Sequence, residues 1–228
     1  METRIRASVL LLGSLLVLVT FTYPMWRPAP PENIVEDEFP ELAEDLRDDF
    51  AQLPLAVQQD YLSMRQRNAQ MSAALVEARL RPPEPLPLEE QEPPDVSAAS
   101  VIARGEFGPL QLSQEEIDLD ERELPPYSRL YGSAGEATLF QFPDRRKLLW
   151  IEELAVVYGP NLKVVLSTNP NPLTVEELGV DYIDLGELVN PSGSHAYTVP
   201  TELNATAYNS VVIIEDTYNI VFSVAPLR

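Results

Sequence analysis

The chain has 228 residues, enough for one full domain plus an extension, and 45% of them are hydrophobic, which is ordinary for a globular protein. A formal net charge of −20 argues against nucleic acid as a partner, because binding to phosphate is driven by lysine and arginine. The chain contains no cysteine. Disulfides, thiolate nucleophiles, thiolate metal ligands and lipid attachment through cysteine are therefore excluded.

Residues 7–26 form a run of twenty uncharged and mostly apolar residues. As a helix, such a run spans about 30 Å, roughly the thickness of the hydrocarbon core of a bilayer. Arg4 and Arg6 precede it, and acidic residues follow soon after Arg27. The positive-inside rule then predicts a cytoplasmic tail at 1–6, a transmembrane helix at 7–26 and an extracytoplasmic remainder at 27–228.

Two alternatives exist for this first segment. A cleaved signal peptide would need a small-residue cleavage motif, and the stretch from Thr22 to Trp26 contains none. A buried helix of a soluble protein is disfavoured because no charged residue interrupts the run. The pattern therefore favours an uncleaved anchor.

Residues 27–81 are predicted to form a short acidic helical stalk. Leu42, Leu46 and Phe50 recur at four-residue spacing, and a later helix is predicted to start after Asn68, which is a suitable N-cap. Pro54 should separate the helices. The acid pair Asp48-Asp49 and the cluster at 36–38 lack the alternating ligands and turn glycine of a calcium loop, so they are interpreted as solvated helix surface.

The segment 82–97 is rich in proline and glutamate, which favours an extended spacer rather than a packed element. The remainder, 98–228, shows short apolar or alternating runs separated by glycine, proline and asparagine. These runs predict an antiparallel β-sandwich or barrel, with a single helical turn at Val175–Leu178. The eight predicted strands are Val101–Phe107, Gly135–Phe142, Lys147–Val157, Leu162–Ser167, Tyr182–Leu188, His195–Val199, Ser210–Ile214 and Tyr218–Val224.

Several blocks of this C-terminal region resemble the DM-thirteen domain family. They occur in order over roughly residues 100–228, and the most specific runs from Gly159-Pro160-Asn161-Leu162 to Leu166-Ser167-Thr168. Others are Tyr131-Gly132-Ser133-Ala134-Gly135, Leu148-Leu149-Trp150-Ile151, Asp184-Leu185-Gly186-Glu187-Leu188, Gly193-Ser194-His195-Ala196-Tyr197, Tyr208-Asn209-Ser210-Val211-Val212-Ile213 and Phe222-Ser223-Val224-Ala225-Pro226-Leu227.

The resemblance implies a β-sandwich-like extracytoplasmic module related to DOMON-type domains, with a proposed role in electron transfer. That proposed role depends on a cysteine in the penultimate strand, within a Val-Val-Ile-Trp-Cys context. Here the matching stretch continues from Ile213 to Ile214 and Glu215, so a glutamate occupies the position of the cysteine. Glu215 is therefore the candidate family-site position, and we expect it to lie at an exposed hairpin corner.

Other residues offer little chemistry. His195 is the only histidine, which excludes a histidine metal cluster, and it is expected to point outward from a strand. The pair Glu152-Glu153 should face opposite sides of a strand, which disfavours joint acid-base work. The acidic loop 115–123 offers an open alternative of calcium binding. Asn204-Ala205-Thr206 matches the N-glycosylation acceptor pattern, which is meaningful where a host glycosylates secreted chains.

These observations favour a membrane-anchored extracytoplasmic domain that binds a protein or glycan partner and has no chemistry of its own. No catalytic residue, metal site or cofactor is predicted, and an enzymatic role is disfavoured. The alternative is an electron-transfer component with a non-covalently bound cofactor, as the family resemblance implies. An absorption spectrum would separate the two, since flavin or haem absorbs beyond the aromatic band.

Overall fold

A computed structural model describes residues 39–85, 87, 92–108, 130 and 133–228. Within these residues the fold is mainly β, with eight strands in two antiparallel sheets and three α-helices. None of the helices in this part of the chain is both long and apolar enough to cross a bilayer. The predicted transmembrane segment 7–26 and the acidic loop 115–123 lie outside the described residues.

The three helices are α1 (Glu44–Gln52), α2 (Leu55–Arg67) and α3 (Ala69–Leu80). Their breaks confirm the predicted positions at Pro54 and Asn68, since Asn68 Oδ1 accepts a hydrogen bond from the Met71 N–H at 3.0 Å and so caps α3. The helices pack around buried aromatic residues, with the Phe39 and Phe50 rings edge to face at 5.4 Å. They thus have a small apolar core of their own.

The eight strands follow the predicted order with small shifts at their ends. They are β1 (Ser100–Glu106), β2 (Ser133–Gln141), β3 (Lys147–Val156), β4 (Leu162–Ser167), β5 (Ile183–Glu187), β6 (Ser192–Val199), β7 (Ser210–Glu215) and β8 (Ile220–Pro226). The predicted helical turn at Val175–Leu178 is present as a 3₁₀ turn. Sequence patterning therefore placed every strand that the structure describes.

The first sheet has the order β1-β2-β3-β6 and the second has the order β5-β4-β7-β8. Every residue of β7 is buried, as expected for the uninterrupted apolar run that begins at Val211. The edge strand β1 also pairs with the chain beyond β8: the Arg104 N–H donates to the Arg228 carbonyl at 3.0 Å and the Arg228 N–H donates back at 2.8 Å. The two sheets are thus joined along this edge.

A few hydrogen bonds connect the segments that precede the sheets to the β domain. The buried Asn190 side chain donates from Nδ2 to the carbonyl of Glu84 and accepts at Oδ1 from the Ser192 N–H at 3.1 Å. Arg79 donates to the Leu130 carbonyl at 3.4 Å. A side chain of the β domain therefore holds the proline-rich segment at Glu84.

Candidate functional site around Glu215

Glu215 is the last residue of β7 and is completely buried, with 0% of its surface exposed. It lies opposite Leu162 of β4 on one side and Ile220 of β8 on the other. The expectation of an exposed corner was wrong, because β7 continues one residue past Ile214 and the turn begins only at residue 216. Asn219, at a φ of 55°, supplies the left-handed position of that turn.

The turn from Gly159 to Leu162 lies directly against this hairpin. A Cβ atom built on Gly159 would be 3.2 Å from Glu215 Cγ and 3.0 Å from Phe222 Cζ. The Asp216 N–H donates to the Asn161 carbonyl at 3.0 Å, which ties the turn to the hairpin. The segment that carries the most specific family resemblance thus covers the position where that resemblance places a cysteine.

The two carboxyl oxygens of Glu215 have different surroundings. Oε2 accepts a hydrogen bond from the Tyr218 N–H at 2.7 Å, whereas Oε1 is buried without a hydrogen-bond partner in the described residues. Burial raises the pKa of Glu215 above its ordinary value, and interactions with Tyr218, Thr217 and Asn161 oppose this shift without cancelling it. Protonation is therefore easier for Glu215 than for an exposed glutamate, since the neutral form avoids an unpaired charge in an apolar site.

No basic side chain of the described residues neutralises Glu215. Lys163 is the basic residue on the adjacent strand, and its Nζ lies 2.8 Å from Asp216 Oδ2 and 3.2 Å from Asp184 Oδ2. Hydrogen bonds to Asp216 and then Asp184 hold the pKa of Lys163 above its usual range. Lys163 is paired with Ile214 in the register, so it projects from the opposite side of the sheet to Glu215.

These facts limit the chemistry of this site. A carboxyl group has no redox couple, so it cannot replace the electron transfer of a thiol. The close approach of Gly159 leaves no space for a ligand beside Cγ in this arrangement. A buried carboxyl can still exchange a proton when the hairpin opens, and that is the chemistry which its residue type allows.

His195 lies in β6, in the first sheet, whereas Glu215 lies in the second. The prediction of an outward-pointing histidine was wrong, since only 9% of its surface is exposed. Burial lowers the pKa of His195, and Nε2 has no hydrogen-bond partner in the described residues. On the same strand, the Tyr197 hydroxyl donates to the Glu187 carbonyl at 3.3 Å. His195 is therefore a neutral residue of the interior.

Glu152 and Glu153 do not face opposite sides of β3, because a β-bulge leaves both exposed. Glu153 has a φ of 48°, and the opposing Gly135 lets the bulged backbone approach closely: a Cβ there would be 2.9 Å from the Glu152 carbonyl oxygen. A glycine inside a strand is a known sign of such a bulge. This signal was present in the sequence and could have corrected the prediction.

Two further polar side chains have local structural roles. Glu177 Oε2 accepts a hydrogen bond from the Leu173 N–H at 2.8 Å, which stabilises the 3₁₀ turn. Asn204 is exposed, and its Oδ1 accepts a hydrogen bond from the Thr206 hydroxyl at 2.8 Å. The described residues include no group of three or more histidines, aspartates or glutamates placed to hold a metal ion.

The two antiparallel sheets, with the Gly-Pro-Asn turn closed over a β-hairpin, define a small all-antiparallel β domain. Residues 128–227 match the family model described as "Electron transfer DM13", which identifies a DM13 domain in the C-terminal part of the chain. The match confirms the predicted resemblance. The chain matched no curated protein and no solved structure.

Proposed function

We propose that the chain is a membrane-tethered extracytoplasmic protein whose sandwich-like DM13 domain binds a protein or glycan partner and has no redox chemistry of its own. The tether is the uncharged run 7–26, and the charge asymmetry around it supports an extracytoplasmic location for the remainder. The helical segment and proline-rich spacer separate the domain from the bilayer. A domain held in this way can meet a partner at its outer face.

The observation that supports a binding role best is the state of Glu215. Because the chain has no cysteine, the thiol to which the family's electron transfer is attributed is absent. The residue at that position is a carboxyl sealed beneath Gly159. The domain thus keeps the fold, while the side chain at position 215 is part of the packed interior.

Electron transfer by a non-covalently bound cofactor remains a second candidate, and the description of the matching family favours it. Buried aromatic residues such as Trp150 and Tyr208 would be the neighbours of such a group. This alternative needs a cofactor that co-purifies with the protein, because neither a carboxyl nor a tyrosine supplies a stable two-state redox couple under mild conditions.

The absorption spectrum of the full-length protein, purified in detergent from its own membrane, tests both candidates. We expect no absorption beyond the aromatic band, before or after reduction with dithionite. A stoichiometric flavin or haem band that survives gel filtration would overturn the binding role and establish the second candidate. Purification of a Trp150→Phe variant in parallel would show whether any such band depends on the domain interior.

A further inference from the structure

Two arginines lie side by side where β1 meets the end of the chain. Arg104 and Arg228 exchange both backbone hydrogen bonds, which makes them a hydrogen-bonded antiparallel pair and directs their side chains to the same face of the sheet. Both residues are exposed, and neither guanidinium forms an ion pair in the described part of the chain. Two adjacent positive charges repel each other, although the chain as a whole is strongly acidic.

A concavity of about 500 Å³ opens beside this arginine pair and is also lined by Glu106, Phe107 and Glu136. A second one, of about 480 Å³, shares these three residues. The two adjoining concavities constitute the charged groove, lined at its ends and centre by Arg104, Arg228, Glu106, Phe107, Glu136, Glu152 and Glu153.

The charges within the groove are separated by sign. Glu106 lies opposite Glu136, and Glu136 lies opposite Glu152, so three carboxylates follow one another across β1, β2 and β3 at about 4.8 Å spacing. Arg104 precedes Glu106 by two residues, which places the arginine pair about 7 Å further along β1 on the same face. One end of the groove is therefore cationic and the other end is anionic.

This arrangement restricts the ligands that the groove can hold. A guanidinium pair suits a carboxylate, which it can bind through two parallel hydrogen bonds. The glutamate row attracts a cation and repels a second anion. A simple anion is thus opposed by the glutamates and a simple cation by the arginines, whereas a ligand with a carboxylate next to a cationic group satisfies both ends.

We propose that the charged groove binds the C-terminus of a partner protein whose last residue is lysine or arginine. The terminal carboxylate contacts Arg104 and Arg228, and the basic side chain lies along Glu106, Glu136 and Glu152, over the buried Phe107. The negative charge of the chain steers such a cationic segment toward the groove. This proposal rests on the binding role proposed above, and it names the chemistry of the partner.

Fluorescence polarisation with the full-length protein and three labelled peptides tests the proposal. The first peptide ends in lysine with a free carboxylate, the second has a C-terminal amide, and the third ends in norleucine with a free carboxylate. We expect the second and third to bind about tenfold more weakly or worse, since each loses a charge-assisted contact. Equal affinity for all three peptides would overturn the proposal.

Matched variants assign the two ends of the groove. The double variant Arg104→Gln with Arg228→Gln should bind the acid and amide peptides equally, whereas Glu136→Gln should narrow the difference between lysine and norleucine. Arg145→Gln is the control, because Arg145 is exposed in the turn between β2 and β3, at the far end of the sheet from Glu136. If Arg145→Gln lost as much affinity for the lysine peptide as the double arginine variant, the attraction would be non-specific and the assignment would be contradicted.

The outcomes also separate this proposal from the binding role itself. If the peptides fail to bind while the absorption spectrum stays featureless, the charged groove is not the recognition site, and the binding role stands with another partner. If a cofactor band is present, the binding role fails regardless of the peptides. Binding of the lysine peptide that persists in 0.5 M salt, well beyond the screening range of exposed charges, would require contacts other than those proposed.

Discussion

The two sheets place glutamates in opposite physical states. Glu215 in the second sheet is sealed from water, has no basic partner among the described residues and has a raised pKa. Glu106, Glu136 and Glu152 in the first sheet line an open groove within reach of solvent. The comparison teaches that residue type alone does not indicate a site: the buried carboxyl has the unusual electrostatics, whereas the exposed row has the accessibility that recognition needs.

The two regions should differ most in how fast a soluble reagent reaches a side chain at position 215 or 152. The chain lacks cysteine, so a thiol can be introduced at either position without background. We expect Glu215→Cys to react with a soluble thiol reagent about 100-fold more slowly than Glu152→Cys, because a buried thiol reacts only after local opening. Labelling rates under native conditions measure this ratio.

The same two variants should react at equal rates in denaturant, which provides the control. Equal rates under native conditions would show that the β7–β8 hairpin opens freely. That result would also restore the Glu215 position as an accessible site, and it would weaken the argument that the binding role rests on a sealed interior.

A second test concerns the turn from Gly159 to Leu162, which packs over Glu215. Gly159→Ala should destabilise the protein by about 1–3 kcal/mol, the usual cost of overpacking, because its Cβ would lie 3.0 Å from Phe222 Cζ. Gly108→Ala is the matched control, because no residue of the described part of the chain lies within 4 Å of the added atom. Denaturant unfolding of both variants measures the difference in the free energy of unfolding. A Gly159→Ala variant as stable as Gly108→Ala would mean that the turn at Gly159 is not tightly packed against Glu215 and Phe222.

The positions of the strands along the chain were predictable from sequence because turn residues and apolar runs are local signals. The eight strands were identified from glycine, proline and asparagine between apolar runs, and Asn68 was identified as a cap from its position before a periodic segment. Such features depend on a few neighbouring residues. They therefore do not require knowledge of which strands pair.

The environment of individual side chains was less predictable. The run from Val211 to Ile214 is buried on both faces, so it shows no alternation that would indicate where the next residue points. The pattern therefore predicts a hairpin corner at Glu215, although the structure extends the strand through it. Its burial depends on Gly159, which is more than fifty residues away in the sequence.

The charged groove was missed for a related reason. Arg104 and Arg228 lie at opposite ends of the β domain sequence and meet only because β1 pairs with the chain beyond β8. No local pattern links them. The one available signal in the sequence was that basic residues are few in so acidic a chain, so each arginine is a candidate for a specific role.

The smallest expected effect is a pH-dependent gain in stability from Glu215→Gln. Burial raises the pKa of Glu215 in the folded state, so the folded protein holds a proton that the unfolded chain releases near pH 4.3, about the ordinary value for glutamate. The folded state thus binds more protons than the unfolded state within this window. As the pH rises from the ordinary value through the raised value, the wild-type protein loses stability relative to a neutral side chain, and above the window the loss is constant.

Glutamine keeps an acceptor for the Tyr218 N–H and carries no charge. The free energy of unfolding of Glu215→Gln should therefore exceed that of the wild type by more than about 0.5 kcal/mol at neutral pH, which is the usual limit for surface substitutions. The advantage should shrink toward pH 4. Urea unfolding at several pH values measures it, and Glu152→Gln, which alters an exposed carboxylate, should stay within about 0.5 kcal/mol of the wild type at each pH. A Glu215→Gln variant that is less stable at neutral pH and recovers in acid would show the reverse linkage: the ionised Glu215 would then be stabilised in the folded protein, and the second sheet would contain a charged site rather than a sealed one.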